Sequence, residues 1–242
     1  MSPRPPLVHM LWVTGRLSRL ETVCMDSFIQ QGYRLALWTY SGVDNAPAAA
    51  DMRDARDILP ESAIFVNQGG SYAGFSNVFR YGVLRKLGGM WADSDVIAIK
   101  PAGLLPAIPF LVTERTSDGK LKINNNVIHS PAPKSGDLMD LAFAYASVFP
   151  KEQLTWGDLG PTLLTGFVNM HPRHGYAVMA PDFANSSDWW TAPHSLLAPG
   201  NLPDCSFLHL YNEMWRRAGV DKNAPYPEQS LIAAALRKGL GE

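Results

Sequence analysis

The stretch SNVFRYGVLRKLGGMWADSDVIAIKP, Ser76 to Pro101, decides how the rest of the chain is read. Phe75, Val78, Phe79, Leu84 and Leu87 fall at helical spacing and stop at Gly88-Gly89, so the stretch predicts a helix with a glycine stop. Met90-Trp91-Ala92 and Val96-Ile97-Ala98-Ile99 then read as apolar strand, interrupted by Asp93 and Asp95. Residues two apart in a strand project to the same side. Two ionised carboxylates ~5 Å apart repel by about 3 kcal/mol at an effective dielectric of ~20. A strand end bears that cost where water screens it, protonation removes it or a cation offsets it. Mg²⁺ and Mn²⁺ take carboxylate oxygens and keep positions open for substrate phosphates, so the pattern points to an anchor for a metal and a diphosphate. A solvent-facing turn with two aspartates is the alternative.

Strand and helix signals alternate on both sides of this stretch. LVHMLWV, from Leu7, reads as a buried strand, and Ser18 with Glu21 forms a capping-box pattern that opens a helix ending at Gly32. YRLALWTY is a second strand, and MRDARDILP predicts a short helix closed by Pro60. AIPFLVTER and KINNNVIHSP read as strands, the latter with a polar knot at Asn124–Asn126, while LMDLAFAYASVF and PEQSLIAAALRKGLG read as helices. Beyond GDLGPTLLTGFVNM the chain is rich in Pro, Trp and Asn, as loops covering a site tend to be. This alternation predicts an α/β layered fold with a largely parallel central sheet.

Composition narrows the class further. With 242 residues, 46% of them hydrophobic, the chain can bury a full core. A net charge of −1 gives no electrostatic basis for a nucleic-acid partner. Cys24 and Cys205 are too few for a disulfide framework, which fits a reducing cytosol. The apolar run in MSPRPPLVHMLWVTG is too short for a signal core, and no run approaches the ~20 residues of a membrane span. The expectation is a cytoplasmic protein without a transmembrane segment, which leaves peripheral attachment at the inner membrane face open.

The central stretch resembles the sugar transferases that carry a DXD motif on a GT-A fold. That group unites bacterial polysaccharide glycosyltransferases, α-1,4-galactosyltransferase-like enzymes and clostridial-toxin catalytic domains, and is glycosyltransferase family 32-like. Their pattern is Ser-Asp-x-x-Arg-Tyr on a helix, Gly-Gly, a few apolar residues, Asp-x-Asp and an apolar strand. This chain has Ser76-Asn77-Val78-Phe79-Arg80-Tyr81, Gly88-Gly89, Met90-Trp91-Ala92, Asp93-Ser94-Asp95 and Val96-Ile97. The opening Trp-bearing strand, GPTLLTG and HLYNEMW resemble further blocks of the group. One departure stands out: Asn77 occupies the place of an Asp that contacts donor-sugar hydroxyls.

The resemblance implies a GT-A, Rossmann-like fold with a mixed, mostly parallel sheet flanked by helices. It implies one domain over residues 1–242, with a nucleotide-sugar-binding part to about 113 and an acceptor-side part beyond. It implies transfer, with retention, of a sugar from a nucleotide-diphosphate donor, most simply a UDP-sugar, to a glycan or glycolipid acceptor in surface polysaccharide or lipopolysaccharide synthesis. Asp95 would bind the Mn²⁺ or Mg²⁺ ion and Asp93 would assist, while Arg80 would contact sugar or diphosphate. Trp12 would stack on the base and Asn77 would face the sugar. His209, from HLYNEMW, is the candidate for a further metal or phosphate ligand, with Asn212 as a phosphate contact. Asn124, Asn125 and Asp158 are candidates near the transferred sugar. Each position also has a plainer reading: a surface ion pair for Arg80, a core Trp12, a structural His209, an Asn-rich turn, and a helix cap at Asp158. A catalytically silent sugar-nucleotide-binding protein of the same fold is the alternative function. A haloacid-dehalogenase-type phosphatase is a second one, although Asp95-Val96-Ile97 departs from its Asp-x-Asp-Gly-Thr run.

Overall fold

The computed structural model describes residues 5–67, 70–132 and 134–241, so the first four residues of the leader reading lie outside it. The strands are β1 (Leu7–Trp12), β2 (Arg34–Thr39), β3 (Asp51–Asp54), β4 (Gly89–Ala92), β5 (Val96–Ala98), β6 (Phe110–Arg115), β7 (Leu121–Ser130), β8 (Ala177–Met179) and β9 (Phe207–His209). The helices are α1 (Arg19–Gln30), α2 (Ala73–Leu87), α3 (Leu138–Val148), α4 (Leu163–Met170), α5 (His194–Leu197), α6 (Asn212–Ala218) and α7 (Leu231–Leu240). Among the described residues, seven strands form a mixed sheet in the order β3-β2-β1-β4-β7-β6-β8, and β5 pairs with β9 in a small second sheet. Pairing is parallel from β3 through β4 and between β6 and β8, and antiparallel at β4–β7 and β7–β6. The expected α/β fold with a mostly parallel central sheet is therefore present.

Alternation along each strand feeds two cores, because successive side chains leave opposite faces. Val8, Met10, Leu35, Leu37, Met90 and Phe110 pack on one face. Leu11, Trp38, Trp91, Leu111 and Ile128 pack on the other with Phe75, Phe79 and Met139 of α2 and α3. Coverage of both faces is why these strands read as nearly continuous apolar runs. A third cluster, including Leu20, Ile97, Leu208, Trp215 and Ile232, joins α1, the small sheet and α7.

Two elements differ from the sequence reading. MRDARDILP forms edge strand β3 and a 3₁₀ turn at Ala55–Asp57, because pairing with β2 outweighs its local helical preference. MWADSDVIAI is two strands in different sheets, with Asp-Ser-Asp as the corner between them. The Val96 N–H donates to Asp93 O at 3.1 Å and closes that corner as a turn. Upstream, Gly88 and Gly89 have φ of 66° and 97°. A Cβ on Gly89 would sit 2.7 Å from Leu7 O, so only glycine lets the chain pass from α2 into β4 beside β1. His9 holds this passage. Its Nε2–H donates to Gly88 O at 3.0 Å, and its Nδ1 accepts from Trp38 Nε1–H at 3.1 Å.

Candidate metal and donor site

Strand order places β1 between β2 and β4, so the order in which successive parallel strands are added reverses at β1, where α/β folds form a crevice beyond the strand ends. Trp12 ends β1 and Asp93 follows β4, and both line a cavity of about 850 Å³. The first half of α2, the β6–β7 pair, the 154–161 loop and the segment after β9 complete its walls.

At the floor, Asp93, Asp95 and His209 bring one potential ligand atom each within 4.8 Å of one another. The register explains the meeting of residues so distant in sequence: β9 pairs antiparallel with β5, with His209 opposite Val96. Asp95 is only 7% exposed. Its Oδ2 accepts the Asn212 N–H at 2.7 Å and lies 3.4 Å from His209 Nε2. Burial pushes the Asp95 carboxyl up, but His209 and the Asn212 N–H outweigh it and hold the group below the ordinary value. For His209 the balance runs the other way. Burial lowers it, and the Asp95 carboxylate more than compensates, raising it above the usual imidazole value.

A chain of amides assigns the imidazole tautomer. Asn185 Nδ2 donates to the Thr113 carbonyl at 3.0 Å, and a carbonyl can only accept. Asn185 Oδ1 is therefore the acceptor facing His209 Nδ1 at 3.2 Å, and it also takes Asn126 Nδ2–H at 2.9 Å. Nδ1 carries the proton, which leaves the Nε2 lone pair turned toward the Asp95 carboxylate. Two electron-rich atoms facing each other at 3.4 Å require either a second proton on the ring or a cation held between them. One imidazole nitrogen and two carboxylates, with the other ring nitrogen fixed by an outer amide, form a donor set that suits a divalent ion.

Asp93 is 24% exposed and held from behind. Its Oδ1 accepts Trp91 Nε1–H at 2.7 Å and pairs with Arg80 Nη2 at 3.0 Å, while the guanidinium lies over the Trp91 ring. Burial still raises the Asp93 carboxyl, against the pull of Arg80 and with the push of Asp95. Arg80 is itself buried and also donates to Asn125 O and to Ser76. It is thus a buried brace of the acidic corner, not a surface ion pair.

The asparagine knot folds as a strand with a wide bulge, not as a loop. In register, Leu111 faces Ile128 and Val112 faces Asn124, so Asn125 to Val127 of β7 stand opposite no β6 residue. Asn124 Oδ1 accepts the Asn126 N–H at 2.9 Å, the local bond that competes with the ladder. The bulge turns Asn125 toward the cavity and Asn126 toward Asn185. A relay then orients Asn77. Tyr81 O–H donates to Leu159 O at 2.8 Å, Asn125 Nδ2 donates to Tyr81 Oη at 3.3 Å and to Asn77 Oδ1 at 2.8 Å. The Asn77 amide NH₂ is left without a hydrogen bond to the described residues, and Asn77 lines the cavity.

The remaining sequence candidates separate. Trp12 lines the cavity half-buried, with Nε1–H on Gly15 O at 3.0 Å. Asn124 lines it too, but its Nδ2 is bound to buried Glu114 at 2.6 Å. Asn212 is present through its backbone, whereas its side chain donates to Glu21 at 3.1 Å. Asp158 is not among the lining residues and accepts from Thr155 N–H and Oγ–H at 2.8 and 2.9 Å. Gly157 holds the N-cap position there, so Asp158 is the first residue of the turn and not its cap. Glu114, Tyr81 and Asn185 also belong to the site, as partners of Asn124, Asn125 and His209. For Asn185 the available signal was its place in the loop rich in Pro, Trp and Asn.

Tyr211, between His209 and Asn212, is the one non-glycine residue with positive φ among the described residues, at 56°. That conformation costs on the order of 1–3 kcal/mol and is retained where surroundings over-determine it. Tyr211 Oη–H donates to Ser187 O at 2.9 Å, and the bend aims the Asn212 N–H at Asp95.

No protein-family model matches the sequence, and no curated protein matches it. Among solved structures, PaToxG Glycosyltransferase aligns over 98% of this chain and 86% of its own at 16% identity, with a TM-score of 0.51. Two structures of the glycosyltransferase GlyE from Streptococcus pneumoniae TIGR4, one of them the apo form, align at 13% and 15% identity with TM-scores of 0.44 and 0.46. This chain covers 90% of its own length in both and spans 61% of GlyE. At these identities the likeness to PaToxG establishes a common fold: the chain is folded as a glycosyltransferase structure is folded.

Proposed function

We propose that this protein is a metal-dependent glycosyltransferase of the GT-A, DXD type, which moves a sugar from a UDP-sugar to a glycan or glycolipid acceptor with retention. The observation that carries the reading is the convergence of Asp93, Asp95 and His209 on the floor of an ~850 Å³ cavity at the strand ends. Residues 1–242 act in this proposal as one catalytic domain, with Mn²⁺ or Mg²⁺ as the ion. The setting we propose is surface-polysaccharide assembly at the inner face of a membrane. No helix among the described residues is long and apolar enough to cross one.

Asp95 and His209 would hold the ion, with Asp93 beside them. When bound, a divalent cation supplies positive charge against the leaving diphosphate. The side chains do the rest. Arg80 fixes Asp93 from behind, and Asn185 keeps the Nε2 lone pair of His209 facing the site. The Trp12 ring offers a stacking face for the base. The Asn77 NH₂ meets an acceptor oxygen on the sugar, where an Asp would have offered an acceptor. The acceptor hydroxyl adds to the anomeric carbon as the bond from that carbon to the diphosphate oxygen breaks. The electron pair leaves with the diphosphate, whose oxygen takes the hydroxyl proton on the same face.

Thermal denaturation with a panel of nucleotide sugars, each with and without Mn²⁺, tests the assignment. A ligand at 100 times its Kd stabilises by about 2.7 kcal/mol, a shift of about 5 °C or more for a chain of this size. The expected result is a shift that needs both UDP-sugar and Mn²⁺, with slow release of UDP. A shift with no release over a broad acceptor panel would favour the silent sugar-nucleotide-binding reading. No shift with any pair would refute the proposal.

A further inference from the structure

Glu21 is fully buried, yet it does more than the capping box that its spacing announces. Oε2 accepts the Ser18 N–H at 2.8 Å and meets the Ser18 hydroxyl, which completes the cap of α1. Oε1 turns the other way. It accepts Asn212 Nδ2–H at 3.1 Å and Lys222 Nζ–H at 2.6 Å, both from the C-terminal segment that walls the cavity. The next residue in that segment reinforces the joint, since Asn223 Oδ1 accepts the Arg19 N–H at 3.0 Å. The first turn of α1 is therefore the seat on which the segment after β9 rests.

Asn212 connects this seat to the acidic corner. Its side chain is bound to Glu21 while its backbone N–H donates to Asp95 Oδ2 at 2.7 Å. The preceding residue, Tyr211, holds the strained left-handed bend that aims this N–H. A bend of that kind relaxes unless its neighbours hold it, and Glu21 grips the residue immediately beyond it.

We propose that Glu21 is a positioning residue for the metal site, acting through Asn212 on the orientation of Asp95. The inference rests on the reading of Asp93, Asp95 and His209 as metal ligands. Outer partners that orient a ligating carboxylate commonly change metal affinity by about 10- to 100-fold when removed. A structural cap alone would change stability and leave metal affinity where it was.

Mn²⁺ affinity of the intact chain, read from the electron paramagnetic resonance of free Mn²⁺, separates the two roles. Glu21→Ala and Asn212→Ala are each expected to weaken Mn²⁺ binding about 10- to 100-fold. The double variant should fall within about threefold of the weaker single variant, because both changes cut one chain of contacts. Met25→Ala, in the core of the same helix, controls for lost stability: it should lower the melting temperature and leave Mn²⁺ affinity within about threefold. Should Glu21→Ala not fold, Asn212→Ala carries the decision. Wild-type Mn²⁺ affinity in Asn212→Ala and in a folded Glu21→Ala would reduce Glu21 to a helix cap and overturn the inference. Absence of Mn²⁺ binding by the wild type would instead remove the metal reading, and the inference with it.

Discussion

Acidification should destabilise this fold through His9, by an amount that its surroundings allow to be worked out. The ring is wholly buried, donates from Nε2 to Gly88 O and accepts at Nδ1 from Trp38. A second proton would place N–H against N–H at Nδ1 in a buried site. Burial accordingly lowers the His9 pKa from 6.5 to about 4, against a smaller upward pull from the Gly88 carbonyl. Between these values the unfolded chain holds the proton and the folded chain does not. Stability therefore falls as pH falls, by about 1.4 kcal/mol per pH unit and about 3 kcal/mol in all. His129 is lowered by burial and acts in the same direction, whereas raised His209 acts in the opposite one, so the informative quantity is a difference. Urea unfolding of wild type and His9→Gln from pH 7.5 to pH 4 supplies it. The wild-type advantage over the variant should shrink by about 3 kcal/mol across that range. A constant difference would refute the neutral, doubly bonded imidazole and its role in holding the Gly88-Gly89 passage.

Other perturbations follow from single contacts. Gly89→Ala imposes a side chain at φ 97° and a Cβ at 2.7 Å from Leu7 O, and should cost about 2–3 kcal/mol in chemical denaturation; a neutral outcome would mean that β1 yields there. Arg80→Ala strips Asp93 of its buried counter-charge and should cost about 3 kcal/mol, with a further rise of the Asp93 carboxyl visible by NMR titration. An unchanged carboxyl would show that Trp91 alone sets Asp93. Asn185→Ala frees the His209 ring and should weaken Mn²⁺ binding about 10-fold or more, and it should also lower the melting temperature because the Thr113 carbonyl and Asn126 amide lose a buried partner; retained Mn²⁺ affinity would break the tautomer assignment.

Much of the fold was legible because the signals were local. The Ser18–Glu21 cap, the Gly88-Gly89 stop and the apolar runs of β1, β2 and β6 each depend on neighbours a few residues away, and each element formed where those signals lay. MRDARDILP carries local helix signals, but its strand exists only by pairing with β2. The Asp-Ser-Asp corner was visible as an energetic problem, since paired acids between apolar segments demand an explanation. Which groups meet it was less visible. His209 arrives through the β5–β9 register, and the second face of Glu21 looks onto residues near the far end of the chain. Asn185 was hidden for the same reason. An asparagine in a polar loop carries no periodicity, and its use appears only once Thr113, Asn126 and His209 surround it.

Crystals grown with Mn²⁺ and UDP, measured at a wavelength where manganese scatters anomalously, test the central claim most directly. One strong anomalous peak is expected in contact with Asp95 and His209, with Asp93 alongside, and it should vanish in Asp95→Asn. Bound UDP with no peak there, or a peak held by other residues, would contradict the reading of this corner as a metal site.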